Sequence, residues 1–547
     1  MEKSVRRPAL IAIYIAFVCK GLFYAAVIPI WEGYDEYAHF AFIQRVAVQH
    51  ELPVPDTRIS REVEQSLELV PLPWELRDLP PPHVIHDSFW KLTPEQRTTR
   101  QRDLLAIPAD WRSQPGTIVL YEGKQGPLYY WLMWPLYHLV RNTSIPDRVL
   151  TLRFANVLLA SLLIPIAFAA AQRVLPDVAS ATAVCALIAS MPELYMDAFR
   201  VGNQSLAMIL YSLFTLFCLR AMERKPNYLP YAGITLGLLL ITRAYSLAAI
   251  PAMLLVVMYT ASQRPVYGRT RVLYMSAAAL VSTFVIASWW YIRNLRLTGT
   301  LIWYDSAPSN PIGLAAIARH ALNVHWLTAL QSVFGSHIWF GNWSFLAVRS
   351  WMYQVFQFVA LIAIAGLVTS LWAVIDRPYS TKKVTSRAAK FGVLVCIYGG
   401  FLLSIGYHVL MNSINLGVDA SAGWYLYAVV VAEAILVVGG LLALRWGKAM
   451  TVGLVGCFFL LEMYAMHFLL IPYYAGLIRH APDGGLQSFH LSQLNTIPVT
   501  EVLSRLETNR PFGDSELIVL WFLFIAASIA LPYICARSFR ENCDGGI

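Results

Sequence analysis

Residues 9–30 read ALIAIYIAFVCKGLFYAAVIPI, an apolar run that is interrupted by a single charge at Lys20. Because a helix that crosses a bilayer needs about 20 apolar residues, this run predicts a transmembrane helix. It is too long for a signal peptide and shows no small-residue cleavage site, so we interpret it as a retained anchor. The next residues, 31–40, read WEGYDEYAHF and place two adjacent carboxylates and a histidine where the chain leaves the membrane.

The rest of the chain has the same apolar character. Of its 547 residues 57% are hydrophobic and only 14% are charged, and the mean hydropathy is +0.53. A soluble domain of this length cannot bury so much apolar surface, so the sequence predicts an all-α polytopic membrane protein with about 12 transmembrane helices. The predicted spans are 9–30, 149–174, 177–195, 203–222, 229–242, 244–262, 272–292, 351–375, 390–411, 424–444, 449–471 and 515–536.

Basic residues in the short loops set the predicted orientation. Lysine and arginine are concentrated at both termini and in alternate loops, whereas the short turns on the other side carry only Arg200 and Arg243. Since basic residues favour the cytoplasm, both termini are predicted to lie inside. The net charge of +9 is spread over these loops, so no nucleic-acid partner is predicted. All seven cysteines fall in spans or in the C-terminal tail, which predicts no disulfide framework.

Three segments are predicted to lie outside, namely 31–148, 301–350 and 472–514. The first begins with a predicted helix from Asp35 to about His50, in which apolar and polar residues recur as in a helix that lies along the membrane interface.

Two further helices are predicted in the first outer segment. Thr93 is a favoured N-cap residue followed by proline, so a short helix is expected from Pro94 to about Ala106. An aromatic-rich juxtamembrane helix, too short to span, is expected from Pro127 onward.

The residues Asp35, Glu36 and His39 carry the chemistry that the sequence offers at this point. Adjacent residues on a helix point about 100° apart, and His39 lies within one turn of both carboxylates. Such a group suits a general base with an orienting partner, or a divalent cation that prefers oxygen ligands. The alternative left open is that Asp35 simply caps the helix and that the other two side chains are solvated.

Four motifs resemble those of the GT-C superfamily of integral-membrane glycosyltransferases. They stand in the order of that family, within residues 1–300. The resemblance is to the protein mannosyltransferase and lipid A aminoarabinose transferase types and to bacterial relatives of unassigned substrate. The motifs are DEYAHF at 35–40, YEGKQGPLYY at 121–130, GLLLITR at 237–243 and WWYIRNLRLTG at 289–299.

This resemblance implies an enzyme that moves a hexose or pentose from a polyprenyl-phosphate donor to an acceptor hydroxyl. The reaction would take place at the outer face of a bacterial or archaeal cytoplasmic membrane, on an acceptor that is a glycan, a lipid or a protein. Asp35 would act as the base, with inversion at the sugar, and Glu36 would orient the acceptor or help to hold Mg²⁺ or Mn²⁺. Residues 1–300 would form the catalytic module, and residues 301–547 a C-terminal transmembrane region.

The departing phosphate needs a positive partner, and Arg243 is the first candidate. It follows the predicted span 229–242, where a guanidinium could bind phosphate through two hydrogen bonds. The alternative is that it snorkels into the lipid headgroups. Secondary phosphate-binding candidates are Lys124, Arg293 and Arg296, and the substrate-binding candidates are Gln125, Tyr129 and Asn203.

The chain departs from the pattern of the family at four positions. Lys124 stands where relatives often have histidine, and Gly126 where they have a second proline. Gln204 replaces an aspartate, and Trp424 replaces the arginine of a late Gly-Arg-Tyr motif. Loss of that arginine removes an expected phosphate or acceptor contact, and a degenerate, non-catalytic member is the alternative left open.

Transport, by a polytopic transporter or a lipid flippase, is the competing function. Lys20, Glu433 and Glu462 lie inside predicted spans, where charges are costly and suggest a proton or ion pathway. A structural pair of Lys20 with Glu433 or with Glu462 explains them equally well. No internal repeat of the kind common in transporters is found. Asp305 and Asp419, in outer loops, are compatible with catalysis or with solvation.

Overall fold

The computed structural model describes residues 2–223, 225–262, 268–303, 313–375, 382–495, 497–507 and 513–544. Asp305 lies outside these residues. The described chain is mostly helical, as the sequence predicts. Its α-helices are α1 (Glu2–Val27), α2 (Glu36–Gln49), α3 (Arg61–Leu69), α4 (His86–Phe89), α5 (Pro94–Leu105), α6 (Leu128–Leu139), α7 (Ile145–Ser161), α8 (Leu163–Val174), α9 (Val178–Ser190), α10 (Pro192–Phe199), α11 (Gln204–Met222), α12 (Leu229–Leu240), α13 (Ile250–Ser262), α14 (Arg269–Thr298), α15 (Leu314–Ala321), α16 (Trp326–Ile338), α17 (Ser350–Ile375), α18 (Lys382–Leu416), α19 (Val430–Leu442), α20 (Gly447–Tyr464), α21 (Ile471–Tyr474), α22 (Val499–Leu506) and α23 (Asp514–Asp544).

Ten helices within the described ranges are long and apolar enough to cross a membrane. An eleventh span results if α9 and α10, which meet at a bend of 69°, are taken as one broken span. The twelfth predicted span, 229–242, is instead the 12-residue helix α12. At a rise of 1.5 Å per residue such a helix is about 18 Å long, well short of the hydrocarbon core.

Helix α12 packs closely along α14. A Cβ atom at Gly233 would collide with the carbonyl oxygen of Ala279, so only glycine lets the two backbones approach this far. Close packing at a small residue is the usual way in which membrane helices associate. This contact fixes the turn at 241–243, which carries Arg243, at the end of the bundle where α2 lies.

The first outer segment folds into a compact layer and not into a loose loop. It contains two small sheets, an antiparallel pair of β1 (Arg58–Ser60) with β4 (Pro115–Val119) and a parallel pair of β2 (Pro71–Leu72) with β3 (Val84–Ile85). Helix α5 begins at the Thr93 cap as predicted, with a complete capping box, and α6 follows Pro127 as predicted.

Helix α2 is buried on nearly all sides, which corrects the expectation of a helix lying along the membrane interface. Its polar residues Glu36, His39 and Gln44 are at most 1% exposed. The physical reason is that β1, α6 and the turn Tyr121–Lys124 cover the helix, a tertiary arrangement that its periodicity cannot show.

The outer segment also contacts the C-terminal half of the chain. The backbone N–H of Ser344 donates to Oε1 of Glu32 at 3.1 Å, and the ring of Trp74 stacks on that of His480 at 4.1 Å. The described cysteines, Cys19, Cys185, Cys218, Cys396, Cys457 and Cys535, are free. The division of the chain at residue 300 stays a prediction.

Candidate active site

Asp35 directly precedes α2, in the left-handed backbone region with φ 56°. Its side chain makes no capping hydrogen bond. Instead, its Oδ1 atom accepts a hydrogen bond of 2.7 Å from the hydroxyl of Tyr121. The alternative that Asp35 only caps the helix is therefore wrong. A non-glycine residue in this conformation costs about 1–3 kcal/mol and is most often found where function requires it.

Asp35 forms a compact cluster with His39 and Glu122. One ligand atom from each of the three side chains lies within 4.8 Å of the other two. His39 lies one helical turn after Asp35, whereas Glu122 comes from the short 3-10 helix Tyr121–Lys124 that follows β4. Glu122 belongs to the sequence motif YEGKQGPLYY, but the sequence alone did not predict a function for it.

Two buried atoms face each other in this cluster without a hydrogen-bond partner. They are Nε2 of His39 and Oε2 of Glu122, which are 3.8 Å apart. The other ring nitrogen of His39, Nδ1, lies 2.8 Å from the hydroxyl of Tyr130. Unsatisfied buried polar atoms are rare and each calls for an explanation. Here they leave binding capacity for a ligand.

Burial and neighbouring charges shift the ionisation of both residues. Burial, together with the nearby Asp35 carboxylate, raises the pKa of Glu122 to about 7, although the charges of Lys124 and Arg243 act in the opposite direction. Burial lowers the pKa of His39 well below its usual value, and the charges of Arg200 and Arg243 lower it further. His39 is therefore neutral at pH 7, with one ring nitrogen as an acceptor.

The cluster fits a divalent cation. One imidazole nitrogen and two carboxylate oxygens converge, and the two unpaired atoms above are suitable donors. This mixed set suits an ion such as Mn²⁺ better than Mg²⁺, which prefers oxygen ligands. Asp35, His39 and Glu122 would hold the ion.

Glu36, the second carboxylate of the predicted pair, is directed elsewhere. Its two oxygens accept hydrogen bonds of 2.7 and 2.6 Å from Nε and Nη2 of Arg153 and of 3.1 Å from the backbone N–H groups of Trp31 and Val201. The ion pair is at most 1% exposed. The geometry gives no support to the predicted role of Glu36 in orienting the acceptor or holding a metal, because its carboxylate already anchors α2 to α7.

Arg243 is buried beside the cluster, not extended into the headgroups. Its Nη1 atom donates to Oε1 of Gln204 at 2.7 Å, and its guanidinium lies 5.0 and 5.6 Å from the ring centres of Tyr245 and Tyr425. The side chain is 6% exposed. Gln204, which stands where relatives have aspartate, is a neutral partner and leaves the positive charge of Arg243 available.

Arg200 adds a second buried positive charge, which sequence reasoning placed only in an outer turn. Its Nη2 atom donates to Oδ1 of Asp197 at 2.5 Å, and its Nε atom has no hydrogen-bond partner. Its charge acts on His39, as noted above. Two guanidiniums, those of Arg200 and Arg243, therefore act on a cluster that itself contains two carboxylates.

The predicted substrate-binding residues hold the walls of the site together. Nδ2 of Asn203 donates to Oε1 of Gln125 at 3.3 Å and to the carbonyl of Thr242 at 3.1 Å. The hydroxyl of Tyr129 donates to Asn156 at 3.1 Å and accepts from the N–H of Gly202 at 3.0 Å. These bonds join four chain segments, namely 125–129, 156, 202–203 and 242. Their contact with substrate stays a prediction.

The secondary phosphate candidates divide into two groups. Lys124 lies next to the cluster, where its charge acts on Glu122. Arg293 instead donates to the carbonyl oxygen of Pro53 at 2.6 Å, and Arg296 is exposed. The phosphate role of the last two has no support in this geometry.

Two departures from the family pattern have a structural reason. At Gly126 a Cβ atom would collide with the carbonyl of Ile241, so a proline has no room there. Trp424 stacks on Tyr34, the neighbour of Asp35, with ring centres 4.1 Å apart and planes at 7°. An aromatic wall thus replaces the arginine at this position.

The intramembrane charges form pairs. Nζ of Lys20 lies 3.0 Å from Oε2 of Glu462, and both side chains are at most 1% exposed. Glu433 lies 2.7 Å from Nε2 of His337. The structural pairing of Lys20 with Glu462 is therefore the arrangement found, and the alternative with Glu433 is not. Asp419 lies 2.8 Å from Nδ1 of the exposed His325.

Comparisons with known proteins agree with the class that the motifs indicate. Residues 124–291 match the family model of dolichyl-phosphate-mannose-protein mannosyltransferases. This match covers less than half of the chain, and it includes Lys124, Gln125, Tyr129, Asn203 and Arg243. Together with the motifs and the candidate spans, this partial match supports a polytopic membrane glycosyltransferase of the GT-C type.

Solved structures that align with most of this chain have low sequence identity to it. ArnT from Cupriavidus metallidurans, bound to undecaprenyl phosphate, is 14% identical with a TM-score of 0.45, over 96% of this chain and 76% of that one. The oligosaccharyltransferase AglB from Archaeoglobus fulgidus, in complex with an inhibitory peptide and a dolichol-phosphate, is 12% identical with a TM-score of 0.41, over 98% and 56% of the two chains. No protein with curated annotation matches the chain.

Proposed function

We propose that this protein transfers a sugar from a polyprenyl-phosphate donor to an acceptor hydroxyl, with Asp35 as the general base. The observation that carries the proposal is the Asp35–His39–Glu122 cluster beside the buried Arg243. A base, polar atoms without hydrogen-bond partners and a fixed positive charge in one place are the groups that such a transfer requires.

In the reaction, Asp35 takes the proton of the acceptor hydroxyl as its oxygen attacks the anomeric carbon. The bond from that carbon to the phosphate oxygen breaks, and polyprenyl phosphate leaves with the electron pair. A single displacement of this kind inverts the anomeric configuration. The Tyr121 hydroxyl, which donates to Oδ1 of Asp35, holds the carboxylate in place.

Arg243 stabilises the negative charge that grows on the departing phosphate. Its guanidinium is fixed by Gln204 and the two tyrosine rings before the reaction begins, so little reorganisation is needed. A divalent cation held by Asp35, His39 and Glu122 would supply further charge stabilisation.

The site belongs to the same end of the bundle as the outer segment 31–148. We place this end at the outer face of a bacterial or archaeal cytoplasmic membrane, with both termini inside. The support is the distribution of basic residues over the loops of the opposite end.

The test measures polyprenyl phosphate released from synthetic undecaprenyl-phosphate pentoses and hexoses, with a cell-envelope extract as acceptor. Asp35→Asn should lower release by about a thousand-fold, because it removes the base while keeping the shape. Asp103→Asn, in an exposed part of the same outer segment, is the matched control and should retain full activity. Equal release by both variants would overturn the mechanism.

A further inference from the structure

A second polar cavity lies in the outer segment, away from the Asp35 cluster. Its volume is about 150 Å³. Its walls come from the C-terminal half of α2, from β1 and the residues before it, and from the approach to β4. Pockets for whole small molecules measure about 300–1,000 Å³, so this one has room for a single charged group and not for a sugar donor.

Three arginine side chains line this cavity. They belong to Arg45, Arg58 and Arg112, whereas Asp56 is the one carboxylate among the lining side chains. We call it the arginine cavity. Guanidinium groups bind phosphate and carboxylate through paired N–H donors, which is a geometry that lysine does not offer.

The neighbouring carboxylates neutralise these charges only in part. Glu62 is shared, because Arg112 donates to it at 3.0 Å while the buried Arg148 pairs with the same group. Arg45 pairs with Glu51, whose side chain is 65% exposed, at 2.9 Å. A surface pair of this kind contributes little.

Arg45 also has an unpaired N–H donor. Its Nε atom is buried and has no hydrogen-bond partner. Leaving such a donor unsatisfied is costly, and a bound anion would remove that cost. This orphaned donor is a second observation, independent of the charge count, that points to a ligand.

Two elements run from the arginine cavity to the Asp35 cluster. Helix α2 begins next to Asp35 and carries Arg45 in its second half, ten residues further, which corresponds to roughly 15 Å along the helix axis. Strand β4 leads from the cavity into the turn Tyr121–Lys124, which carries Glu122. A large ligand could therefore occupy the cavity with one group while another group reaches Asp35.

We propose that the arginine cavity binds an oxyanion group, a phosphate or a carboxylate, that the acceptor carries at a distance from its reacting hydroxyl. The assignment to the acceptor rests on the proposed function. The anion site itself does not, because it follows from the charges and the unpaired donor alone. The same phosphate chemistry could come from a lipid headgroup or from a soluble glycan.

The experiment uses the full-length protein in neutral detergent, without donor, and follows thermal unfolding as inorganic phosphate is added. Wild type should be stabilised by phosphate and not by sodium chloride at the same ionic strength. Arg45→Gln should weaken this response by about ten-fold or more, because it removes the guanidinium with the free donor. Arg102→Gln is the control, since that side chain is 72% exposed and paired with its neighbour Asp103.

The outcomes separate the possibilities. No phosphate response in wild type, or equal responses in wild type and Arg45→Gln, would overturn the site. Arg58→Gln provides a second variant at an exposed position should Arg45→Gln fail to fold.

In nanodiscs, loss of the phosphate response with phosphatidylglycerol but not with phosphatidylcholine indicates a lipid headgroup, and its persistence in both indicates a soluble acceptor. Asp35→Asn should respond to phosphate as wild type does, although it should not transfer sugar. The anion site can therefore be confirmed even if the proposed sugar transfer fails.

Discussion

Asp35 and Glu36 are adjacent acidic residues with opposite environments. Glu36 is enclosed, and its carboxylate is fully occupied by Arg153 and two backbone N–H groups. Asp35 is partly exposed and faces His39 and Glu122, which have unpaired atoms. The difference separates a buried charge with all its bonds made, which serves the fold, from a cluster whose buried atoms lack partners, where we propose that a ligand binds.

Lys20 and Glu462 belong with Glu36 in this comparison. Glu462 accepts bonds from Tyr24 at 3.2 Å and Ser528 at 3.0 Å, and Lys20 donates to the carbonyl of Ala189 at 2.7 Å. Every partner is provided within the bundle. A transport pathway would need at least one of these groups to be open to an ion.

The largest expected effect on stability comes from breaking the Glu36 pair. Arg153→Met leaves a buried carboxylate without its counter-charge and should lower the free energy of unfolding by about 3–5 kcal/mol. Glu122→Gln, at the open cluster, should change it by less than about 1 kcal/mol, because no bond to a charged partner is lost. Unfolding in SDS mixed with neutral detergent measures both. Similar losses in the free energy of unfolding for the two variants would contradict the distinction between a carboxylate whose bonds are all made and one with an unpaired atom.

The next effect concerns Lys20. The single variant Lys20→Met leaves the buried Glu462 carboxylate without its counter-charge and should destabilise the protein by about 3 kcal/mol. The double variant Lys20→Met with Glu462→Leu should regain most of that loss. The double variant should still release polyprenyl phosphate at the wild-type rate. A folded double variant without activity would instead show that these charges take part in function and would favour transport.

The smallest effect lies at the contact between the outer segment and the C-terminal half. Asp87 accepts a hydrogen bond of 2.7 Å from the backbone N–H of His480. Although burial acts to raise the pKa of Asp87, the bonds from His480 and Tyr473 outweigh it and lower the pKa. A lowered pKa in the folded state means that the stabilisation is complete above the unfolded value, near 4, and is lost as the pH falls below it.

Asp87→Asn should therefore cost about 1 kcal/mol at pH 7 and almost nothing at low pH. Thermal unfolding at pH 7 and at pH 3 provides the measurement. A cost of equal size at both pH values would mean that the charge of Asp87 does not stabilise this contact.

Part of this site could be predicted from the sequence. The motif at 35–40 identifies Asp35, and the turn after 229–242 identifies Arg243, because both follow apolar runs directly. The partners of Asp35 could not be found in this way. Tyr121 lies 86 residues from it along the chain, and only the pairing of β1 with β4 brings this region back to α2.

The surroundings of Glu36 could not be predicted for a similar reason. Helical spacing places Glu36 one turn from His39 but cannot show that Arg153, in α7, lies on the other side of it. Likewise, hydropathy shows that 229–242 is apolar, but not that α12 ends at Leu240 and turns back. The fold class depends on composition and was accessible, whereas the pairing of buried charges depends on tertiary contacts.

The most direct test of the central claim is lipid mass spectrometry on gently purified wild type, Asp35→Asn and Arg243→Ala. Asp35→Asn should retain an intact sugar-linked polyprenyl phosphate, because the donor binds but the reaction cannot start. Wild type should contain mainly the sugar-free polyprenyl phosphate, and Arg243→Ala should contain much less of either. The same lipids in all three proteins, or no polyprenyl species in any of them, would contradict a lipid-linked donor at the Asp35–Arg243 site.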